Sequence, residues 1–239
     1  MMKCLIVAAG QGTRLREKGA LKPLIPVGGV PLIERVMTRA RTAGVEAFCV
    51  VSGYRGDELR QALDQYGARE NVTITHIIND AWDRSNGLSV LKARHALGEP
   101  FLLTMCDHLV DPDIYRDLVS SSFEPGTVTL AVDFNIDRLL NDPEDVTRVK
   151  CSNGRIVHIG KVIREFNAID TGVFLCTPVI FDALEESAAG GDDSISGGMN
   201  VLARWNKARV IDIKNRLWVD VDDPVAFAKA EALLEAGEL

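Results

Sequence analysis

The N-terminal half of the sequence alternates apolar runs with stretches of helical period, and this alternation limits the fold more than any other feature. The apolar runs read CLIVAA, AFCVVSG, VTITHII and PFLLTMCD, and PLIERVMTRARTAG, DELRQALDQYG and GLSVLKARHAL lie between them. This succession is typical of βαβ units, in which parallel strands form a sheet and helices cover it. We predict an α/β fold with a Rossmann-like central sheet that is mixed, mostly parallel and flanked by helices.

The C-terminal half departs from this pattern. TVTLAVDF, TRVKCSNGRIVHIGKV and AIDTGVFLC read as longer or antiparallel strands, and Asn153-Gly154 is a typical hairpin turn. The segment 190–198 mixes glycine with Asp and Ser, a composition that predicts a mobile connection. The chain closes with the strand-like RLWVDVDDP and the short amphipathic helix AFAKAEALLEAG.

Charge and cysteine usage exclude several classes of partner. The chain has 27 Lys and Arg residues and 34 Asp and Glu residues, which give a net charge of −7, and it contains no long basic block. Nucleic acid and anionic membranes require a concentrated positive surface, so we predict neither as a partner. The five cysteines are odd in number and form no C-x-x-C pair, which favours reduced thiols in a cytoplasmic protein. No apolar stretch approaches the roughly 20 residues that cross a bilayer, so we expect no direct membrane contact.

The loop after the first strand is a candidate phosphate site, because parallel sheets of this kind bind ligands at the carboxyl ends of their strands. The strand is followed directly by Gly10, Gln11, Gly12, Thr13 and Arg14. Glycine allows backbone N–H groups to approach an anion closely, so a phosphate chain would fit there.

Two better-known phosphate motifs are disfavoured. Leu15 stands where the third glycine of G-x-G-x-x-G belongs, and the second strand ends at Ser52 without an acidic ribose ligand. An NAD-dependent oxidoreductase is therefore not expected. The sequence also lacks the G-x-x-x-x-G-K-[ST] pattern of a Walker A loop.

Two cations lie close behind the glycine loop. Arg14 and Lys22 are near each other in sequence, and Pro23 and Pro26 prevent a long helix, so the segment must wrap as a loop that can bring both charges to one site. Attack on the α-phosphorus of a nucleoside triphosphate develops charge on the α-phosphate and on the departing pyrophosphate. Two fixed cations and a metal ion would neutralise that charge. Each residue alone would more often be a surface charge, and the combination is what favours nucleotide chemistry.

Carboxylates at strand ends supply candidate metal ligands. Asp107 follows the buried run FLLTMC, which places its carboxylate at a strand tip, and such a carboxylate suits Mg²⁺. Period-2 alternation puts Asp220 and Asp222 on one face of a late strand. Asp223, just before Pro224, is expected to cap the next helix. Mg²⁺ is therefore the predicted cofactor.

At these residues the sequence resembles a known family. AAGQGTRL followed by KPL is similar to the signature of the MobA-like and sugar-phosphate nucleotidyltransferase superfamily, which joins a nucleoside triphosphate to a phosphorylated alcohol or sugar. SGYRGDEL, SNGLSVL, TMCDHLVDP, GKVIREFNAIDTGVF and LWVDVDDPVAF follow in the order that the family uses. The D-H after the central strand, the G-K-x-x-R-E-F segment and the W-x-D-V-D ending resemble most closely the CTP:inositol-1-phosphate cytidylyltransferases.

The resemblance implies an activity and a domain layout. The implied reaction transfers CMP from CTP to a phosphorylated alcohol, with inositol-1-phosphate as the expected acceptor and CDP-inositol and pyrophosphate as products. Residues 1–239 would form one nucleotidyltransferase domain of the nucleotide-diphospho-sugar transferase type. Its nucleotide-binding half would span 1–110, and its acceptor-binding half 111–239 with a C-terminal helix. A CDP-alcohol phosphotransferase that consumes the product is the implied pathway partner.

The resemblance also implies roles for individual residues. The catalytic set would be Arg14, Lys22, Asp107 and Lys161. The metal ligands would be Asp107 and Asp222, with Asp220 close behind. The nucleotide would be bound by Ala8, Ala9, Gly10, Gln11, Gly12, Thr13, Ser52, Ser85, Asn86 and Gly87. The acceptor hydroxyls would lie near Glu165, Asp170 and Thr171.

Some roles stay open at this stage. His108 could touch a water molecule or the acceptor, or strand alternation could turn it away. Asn86 and Ser89 could cap the following helix instead of contacting the nucleotide. The sequence does not define the oligomeric state.

Other functions compete with this reading. The acceptor could be phosphocholine, 2-aminoethylphosphonate or a sugar-1-phosphate. A choline acceptor would favour an aromatic cage, for which the chain offers Phe134, Phe166, Phe174, Trp205 and Trp218.

Two of these alternatives are weakened by particular residues. Lys161 lies between Gly160 and Val162 instead of in the E-K-P triplet of many sugar nucleotidyltransferases, which disfavours a sugar acceptor. A regulatory nucleotide-sugar sensor without turnover should have lost a phosphate cation or a metal carboxylate. Both kinds of residue are present, so a sensor is disfavoured.

Overall fold

The computed structural model describes residues 2–121, 124–138 and 140–239. The described strands are β1 (Met2–Ala8), β2 (Pro26–Val27), β3 (Val30–Pro31), β4 (Val45–Ser52), β5 (Thr73–Ile78), β6 (Phe101–Met105), β7 (His108–Val110), β8 (Val128–Asp133), β9 (Arg148–Ser152), β10 (Arg155–Gly160), β11 (Ala168–Cys176), β12 (Ala208–Asp212) and β13 (Trp218–Asp220). The described α-helices are α1 (Leu32–Arg41), α2 (Gly56–Glu70), α3 (Asn86–Lys92), α4 (Pro112–Ser120), α5 (Val179–Ala189), α6 (Ile195–Arg204) and α7 (Pro224–Glu235).

One nine-stranded sheet runs through both halves of the chain, in the order β5-β4-β1-β6-β11-β8-β12-β10-β9. The four strands β5, β4, β1 and β6 are parallel, as the βαβ pattern predicts. They end at Ala8, Ser52, Ile78 and Met105. The apolar runs of the sequence predict ends at Ala9, Ser52, Asn79 and Cys106, each within one residue of these positions. Their carboxyl ends therefore meet at one edge of the sheet, where a ligand site is expected.

The C-terminal half makes the sheet more antiparallel than predicted. β11 runs antiparallel to β6 and β8, and β10 runs antiparallel to β12 and β9. Four of the eight neighbouring pairs are thus parallel, so the sheet is mixed but not mostly parallel. β9 and β10 are antiparallel because the predicted Asn153-Gly154 turn joins them in a tight hairpin, in which both residues have positive φ.

Apolar side chains cover the sheet on both faces. Alternate residues of β1 divide between two buried clusters, with Cys4 and Ile6 in one and Leu5 and Val7 in the other. The first cluster includes side chains of α1, α2, α4 and α7, and the second includes side chains of α3, α5 and α6. This double cover holds the strand ends, and thus the residues that follow them, in fixed positions.

The prediction of a mobile connection over 190–198 is wrong for its second half. Gly197 and Gly198 lie inside α6 and are buried, and Ser194 caps that helix by accepting a hydrogen bond from the Gly197 N–H at 2.9 Å. A Cβ atom at Gly198 would lie 2.6 Å from the Leu184 side chain of α5, and one at Gly197 would lie 2.3 Å from Ser187 Oγ. The glycines therefore permit close packing of two helices.

The five cysteines and the membrane prediction are simple to compare with the structure. Each of the five thiols is buried and free. Among the described residues, no helix has both the length and the apolar character needed to span a bilayer.

Candidate functional site

A cavity of about 480 Å³ opens at the carboxyl ends of β1 and β6. It brings together thirteen of the nineteen site residues that the family resemblance implies: Ala8, Ala9, Gly10, Gly12, Thr13, Arg14, Lys22, Asn86, Asp107, Lys161, Asp170, Asp220 and Asp222. These residues come from both halves of the chain, so the cavity lies where the parallel and antiparallel parts of the sheet meet.

The glycine loop after β1 packs directly on Lys22. Gly12 has a left-handed backbone with φ of 61°, and a Cβ atom there would lie 2.4 Å from Lys22 Cβ. Only glycine fits this position without displacing the lysine. A Cβ atom at Gly10 would meet no neighbour within 4 Å, which leaves the backbone beside the cavity open to a ligand.

Lys22, Asp107 and Asp222 form what we call the inner charge cluster. Lys22 Nζ donates to Asp107 Oδ2 at 2.5 Å and also to Asp222 Oδ1. Burial disfavours the charged lysine, but Asp107 and Asp222 outweigh it and hold the pKa of Lys22 above its usual range. Burial likewise opposes ionisation of Asp107, yet Lys22 and His108 keep the pKa of its carboxyl below the usual value. Lys22 and Asp107 are therefore both charged at neutral pH.

Arg14, Asp145 and Lys161 form the outer charge cluster. Arg14 donates to Asp145 at 2.6 Å and also to Asp222, so it joins the two clusters. Lys161 donates to the other oxygen of Asp145. Hydrogen bonds from Lys161 and Arg14 lower the pKa of the Asp145 carboxyl. Basic and acidic groups thus alternate from the glycine loop to the far wall of the cavity.

A two-stranded ribbon of β7 and β13 carries a third set of polar groups. Asp220 lies opposite His108 in this antiparallel pair, and the Val221 N–H donates to the Asp107 carbonyl at 3.0 Å. Donor atoms of Asp107, His108 and Asp220 consequently lie within 4.8 Å of one another. Burial lowers the pKa of His108, but Asp220 and Asp107 raise it to about 8. Burial raises the pKa of Asp220 to about 7, although the nearby His108 lowers it.

The same set fits a divalent cation. Asp107 Oδ1 and Asp220 Oδ1 are buried, and within the described ranges neither has a hydrogen-bond partner. A buried carboxylate oxygen without a partner is unfavourable unless a cation or water satisfies it. Hard oxygen donors beside a phosphate site are what Mg²⁺ binds, so the residues present suit the predicted cofactor.

One wall of the cavity was not anticipated from the sequence. Asn141, Asp142, Asp145, Val146 and Thr147 all line it. The buried Asn141 holds this segment in place, because its side chain accepts from the Asp220 N–H at 2.7 Å and donates to the Trp218 carbonyl at 3.5 Å. The segment has no periodic pattern, and Asn141 alone gives no signal in the sequence.

The far end of the cavity combines β11 with the start of α6. Asp170 accepts from the Gly172 N–H at 2.7 Å, and burial raises the pKa of its carboxyl to about 6. Asn86 Oδ1 accepts from the Ile195 N–H at 3.0 Å and so satisfies one of the free donors at the start of α6. Ser89 accepts from Asn79 Nδ2 at 2.9 Å. The predicted alternative, in which Asn86 or Ser89 caps α3, is therefore wrong, since the cap position belongs to Ser85.

Six predicted residues are not part of the cavity lining: Gln11, Ser52, Ser85, Gly87, Glu165 and Thr171. The Thr171 hydroxyl donates to the Ala131 carbonyl at 2.8 Å, so in this structure it is not free to bind an acceptor hydroxyl. The Glu165 side chain is 89% exposed and lies 3.7 Å from Lys150. Gly87 packs against the segment that precedes α6. Of the three residues expected near the acceptor hydroxyls, Asp170 alone lines the cavity.

The fold and this cavity together define a class. A mixed α/β sheet that carries a glycine loop, fixed cations and strand-end carboxylates at one edge is the arrangement of a nucleotidyltransferase. The chain belongs to the MobA-like NTP transferase domain family, whose model matches residues 4–205.

Relatives of known name agree with this class. The bifunctional IPC transferase and DIPP synthase of Rubrobacter xylanophilus is 33% identical over 231 residues, which are 96% of this chain and 51% of that protein. The chain spans about half the length of this and the other bifunctional relatives it matches.

Solved structures show the same architecture. The inositol-1-phosphate CTP transferase from T. maritima superposes with a TM-score of 0.85 at 27% identity, covering 100% of this chain and 98% of that one. A UDP-glucose pyrophosphorylase complexed with UDP-glucose superposes with a TM-score of 0.82 at 18% identity, covering 99% of each chain, and so shares the fold.

Proposed function

We propose that the chain is a Mg²⁺-dependent cytidylyltransferase that transfers CMP from CTP to inositol-1-phosphate and releases CDP-inositol and pyrophosphate. The observation that carries this proposal is the convergence of Arg14, Lys22 and Lys161 with Asp107 and Asp222 in one cavity. The similarity over the whole chain to an inositol-1-phosphate CTP transferase supports the choice of nucleotide and acceptor.

The triphosphate would lie along the glycine loop, with Ala8, Ala9 and Gly10 beside the base and ribose and Arg14 and Lys22 on the phosphates. Lys22 is held in place before substrate binds, because Gly12 packs on its stem and two carboxylates fix its ammonium group. A preorganised cation of this kind stabilises charge that develops during the reaction without having to move.

Asp107, Asp220 and Asp222 would hold Mg²⁺. The bound ion would supply positive charge to the α-phosphate and the leaving pyrophosphate. In the free protein the three aspartates also surround Lys22 and Arg14 with negative charge. A bound metal ion would draw the carboxylates away in part, and would leave the two basic side chains freer to bind phosphate.

The acceptor would enter at the outer charge cluster. Its phosphate is already ionised at neutral pH, so the attack on the α-phosphorus requires no general base, and the protein has mainly to orient the two substrates. Lys161 would bind the acceptor phosphate, and Asp170 would lie near the hydroxyls. The unpredicted residues Asp145 and Thr147 line the same region.

A choline acceptor finds less support. Of the five aromatic residues that might have formed a cage, Phe174 and Trp218 line the cavity. Phe166 instead lies under the Arg148 guanidinium at 5.1 Å, and Trp205 lies under Lys207 at 5.4 Å. Two rings alone do not enclose a quaternary ammonium group on all sides.

The product would pass to a CDP-alcohol phosphotransferase. This pathway partner is supported by the name of the Rubrobacter xylanophilus relative, which pairs an IPC transferase with a DIPP synthase in one protein.

The test is pyrophosphate release in the presence of Mg²⁺, measured with CTP, UTP, GTP, ATP and dTTP. Each nucleotide is combined with inositol-1-phosphate, phosphocholine, 2-aminoethylphosphonate or glucose-1-phosphate. We expect turnover with CTP and inositol-1-phosphate to exceed every other pair. Turnover that is highest with another pair would replace the substrates, and silence with every pair despite CTP binding would replace the activity by a sensor function.

A further inference from the structure

We infer that His108 is a ligand of the metal ion, so that the site combines one imidazole nitrogen with the carboxylates of Asp107 and Asp220 and prefers Mn²⁺ or Co²⁺ to Mg²⁺. The inference rests on the proposed function for the binding of a divalent ion. The identity of the ligands comes from the geometry around His108.

The imidazole ring of His108 has a defined orientation. His108 Nδ1 lies 2.7 Å from the Thr171 carbonyl oxygen. A carbonyl oxygen can only accept a hydrogen bond, so Nδ1 must carry the proton, and the lone pair of the neutral ring is on Nε2. Metal-binding histidines commonly donate their other ring N–H to a backbone carbonyl in this way.

The surrounding fold fixes this orientation of the ring. Gly172 has φ of 74°, and a Cβ atom there would lie 2.2 Å from His108 Nδ1, so only glycine leaves room for the ring. On another side the ring stacks on Trp218, with 6.2 Å between centroids. His108 is thus held between β11 and β13 with Nε2 directed at the two carboxylates.

The spacing of the donor atoms suits one bound ion. His108 Nε2 lies 3.5 Å from Asp220 Oδ2 and 3.7 Å from Asp107 Oδ1. Ligand atoms bound at about 2.0–2.2 Å around one divalent ion stand roughly 3–3.6 Å apart. One ion can therefore contact all three residues after small shifts. Asp107 Oδ1 and Asp220 Oδ1 are also the buried oxygens that have no partner in the described parts of the chain.

Asp222, which the family resemblance pairs with Asp107, differs from Asp107 in its hydrogen bonds. Both oxygens of Asp222 are engaged, Oδ1 by Lys22 and Oδ2 by Arg14. Asp107 uses Oδ2 for Lys22 and keeps Oδ1 for another partner. In the metal-free protein Asp220 is therefore the better-placed second carboxylate, and Asp222 can join the metal only when its ion pair with Lys22 or Arg14 opens.

A nitrogen ligand changes the metal preference. Mg²⁺ favours oxygen donors, whereas imidazole suits first-row transition metals, whose affinities exceed that of Mg²⁺ at mixed nitrogen and oxygen sites. Mg²⁺ can still occupy the two carboxylates, so the inference concerns relative affinity and leaves the proposed reaction unchanged.

The direct test is pulsed electron paramagnetic resonance of Mn²⁺ bound to the whole chain, without and with CTP. We expect nitrogen modulation of the echo that changes when histidine is labelled with ¹⁵N. His108→Asn should abolish the modulation, and His95→Asn, at an exposed position outside the cavity, should keep it. In titrations His108→Asn should weaken Mn²⁺ binding by about 10- to 100-fold, the range seen for loss of even outer-shell partners, and weaken Mg²⁺ binding far less.

A second pair of variants keeps the inference testable if His108→Asn does not fold. Asp220→Asn should weaken Mn²⁺ binding more than Asp222→Asn does, with circular dichroism and thermal unfolding as checks on both proteins. Mn²⁺ bound without histidine modulation in the wild type would overturn the inference and leave the proposed function intact. Absence of any divalent binding, even with CTP, would overturn both.

Discussion

The cavity contains two lysines in opposite settings. Lys22 is 7% exposed and lies between Asp107 and Asp222, whereas Lys161 is 58% exposed and pairs with Asp145. The buried lysine is fixed before any substrate arrives, and such preorganised charge stabilises a transition state. The exposed Lys161 side chain can change its conformation, which suits the binding of a substrate that enters and leaves. We therefore propose that the inner charge cluster carries the chemistry and that the outer charge cluster binds the acceptor.

The largest effect is expected from the inner lysine. Lys22→Ala should lower kcat by about 10²- to 10³-fold or more, the range for loss of one preorganised charge donor. It should also lower the free energy of unfolding by about 3–5 kcal/mol, because Asp107 and Asp222 lose their shared partner. Lys18→Ala, at an exposed position outside the cavity, is the matched control. Steady-state pyrophosphate release and chemical denaturation check both values, and a wild-type kcat in folded Lys22→Ala would remove the inner cluster from catalysis.

An intermediate effect is expected from the outer lysine. Lys161→Ala should raise the KM for the phosphorylated acceptor by about 10- to 150-fold, since a hydrogen bond to a charged group contributes about 1.5–3 kcal/mol. The KM for CTP and the free energy of unfolding should change little, because an exposed ion pair contributes little stability. Lys150→Ala, whose lysine pairs with Glu165 outside the cavity, is the control. A larger change in the KM for CTP than for the acceptor would place Lys161 on the nucleotide.

The smallest effect is expected from the carboxylate of the outer charge cluster. Asp145 pairs with Arg14 and Lys161, and would therefore compete with substrate phosphates for both cations. Asp145→Asn should lower the KM for the acceptor by about two- to fivefold, which corresponds to the 0.4–1 kcal/mol typical of an exposed pair. Asp57→Asn, which removes an exposed carboxylate on α2, is a control of equal charge. A raised acceptor KM in Asp145→Asn would instead show that Asp145 binds the acceptor.

Much of the fold could be predicted because apolar runs report burial directly. The four parallel strands end within one residue of the predicted positions, and Asp223 caps α7 by accepting from the Val225 and Ala226 N–H groups. The meeting of Arg14, Lys22 and Asp107 follows from the same logic, since residues after parallel strands share one edge of the sheet. Asp220 and Asp222 reach this edge through the antiparallel pairing of β13 with β7.

Other parts could not be predicted because they depend on contacts between distant segments. Gly197 and Gly198 resemble a linker in the sequence, and only the closeness of α5 explains why they belong to a helix. Asn141 holds the wall of the cavity through hydrogen bonds to β13, which is far away along the chain. The orientation of His108 likewise depends on Thr171 and Gly172, and strand alternation alone leaves it undetermined.

The central claim is that the cavity joins the α-phosphorus of CTP to the phosphate of an alcohol. Phosphorus NMR of CTP and inositol-1-phosphate incubated with the protein and Mg²⁺ tests this claim most directly. We predict that both substrate signals decrease together, that pyrophosphate accumulates, and that two new coupled resonances mark the diphosphate bridge of CDP-inositol. Conversion of CTP to CDP or CMP, with inositol-1-phosphate unchanged, would contradict the claim.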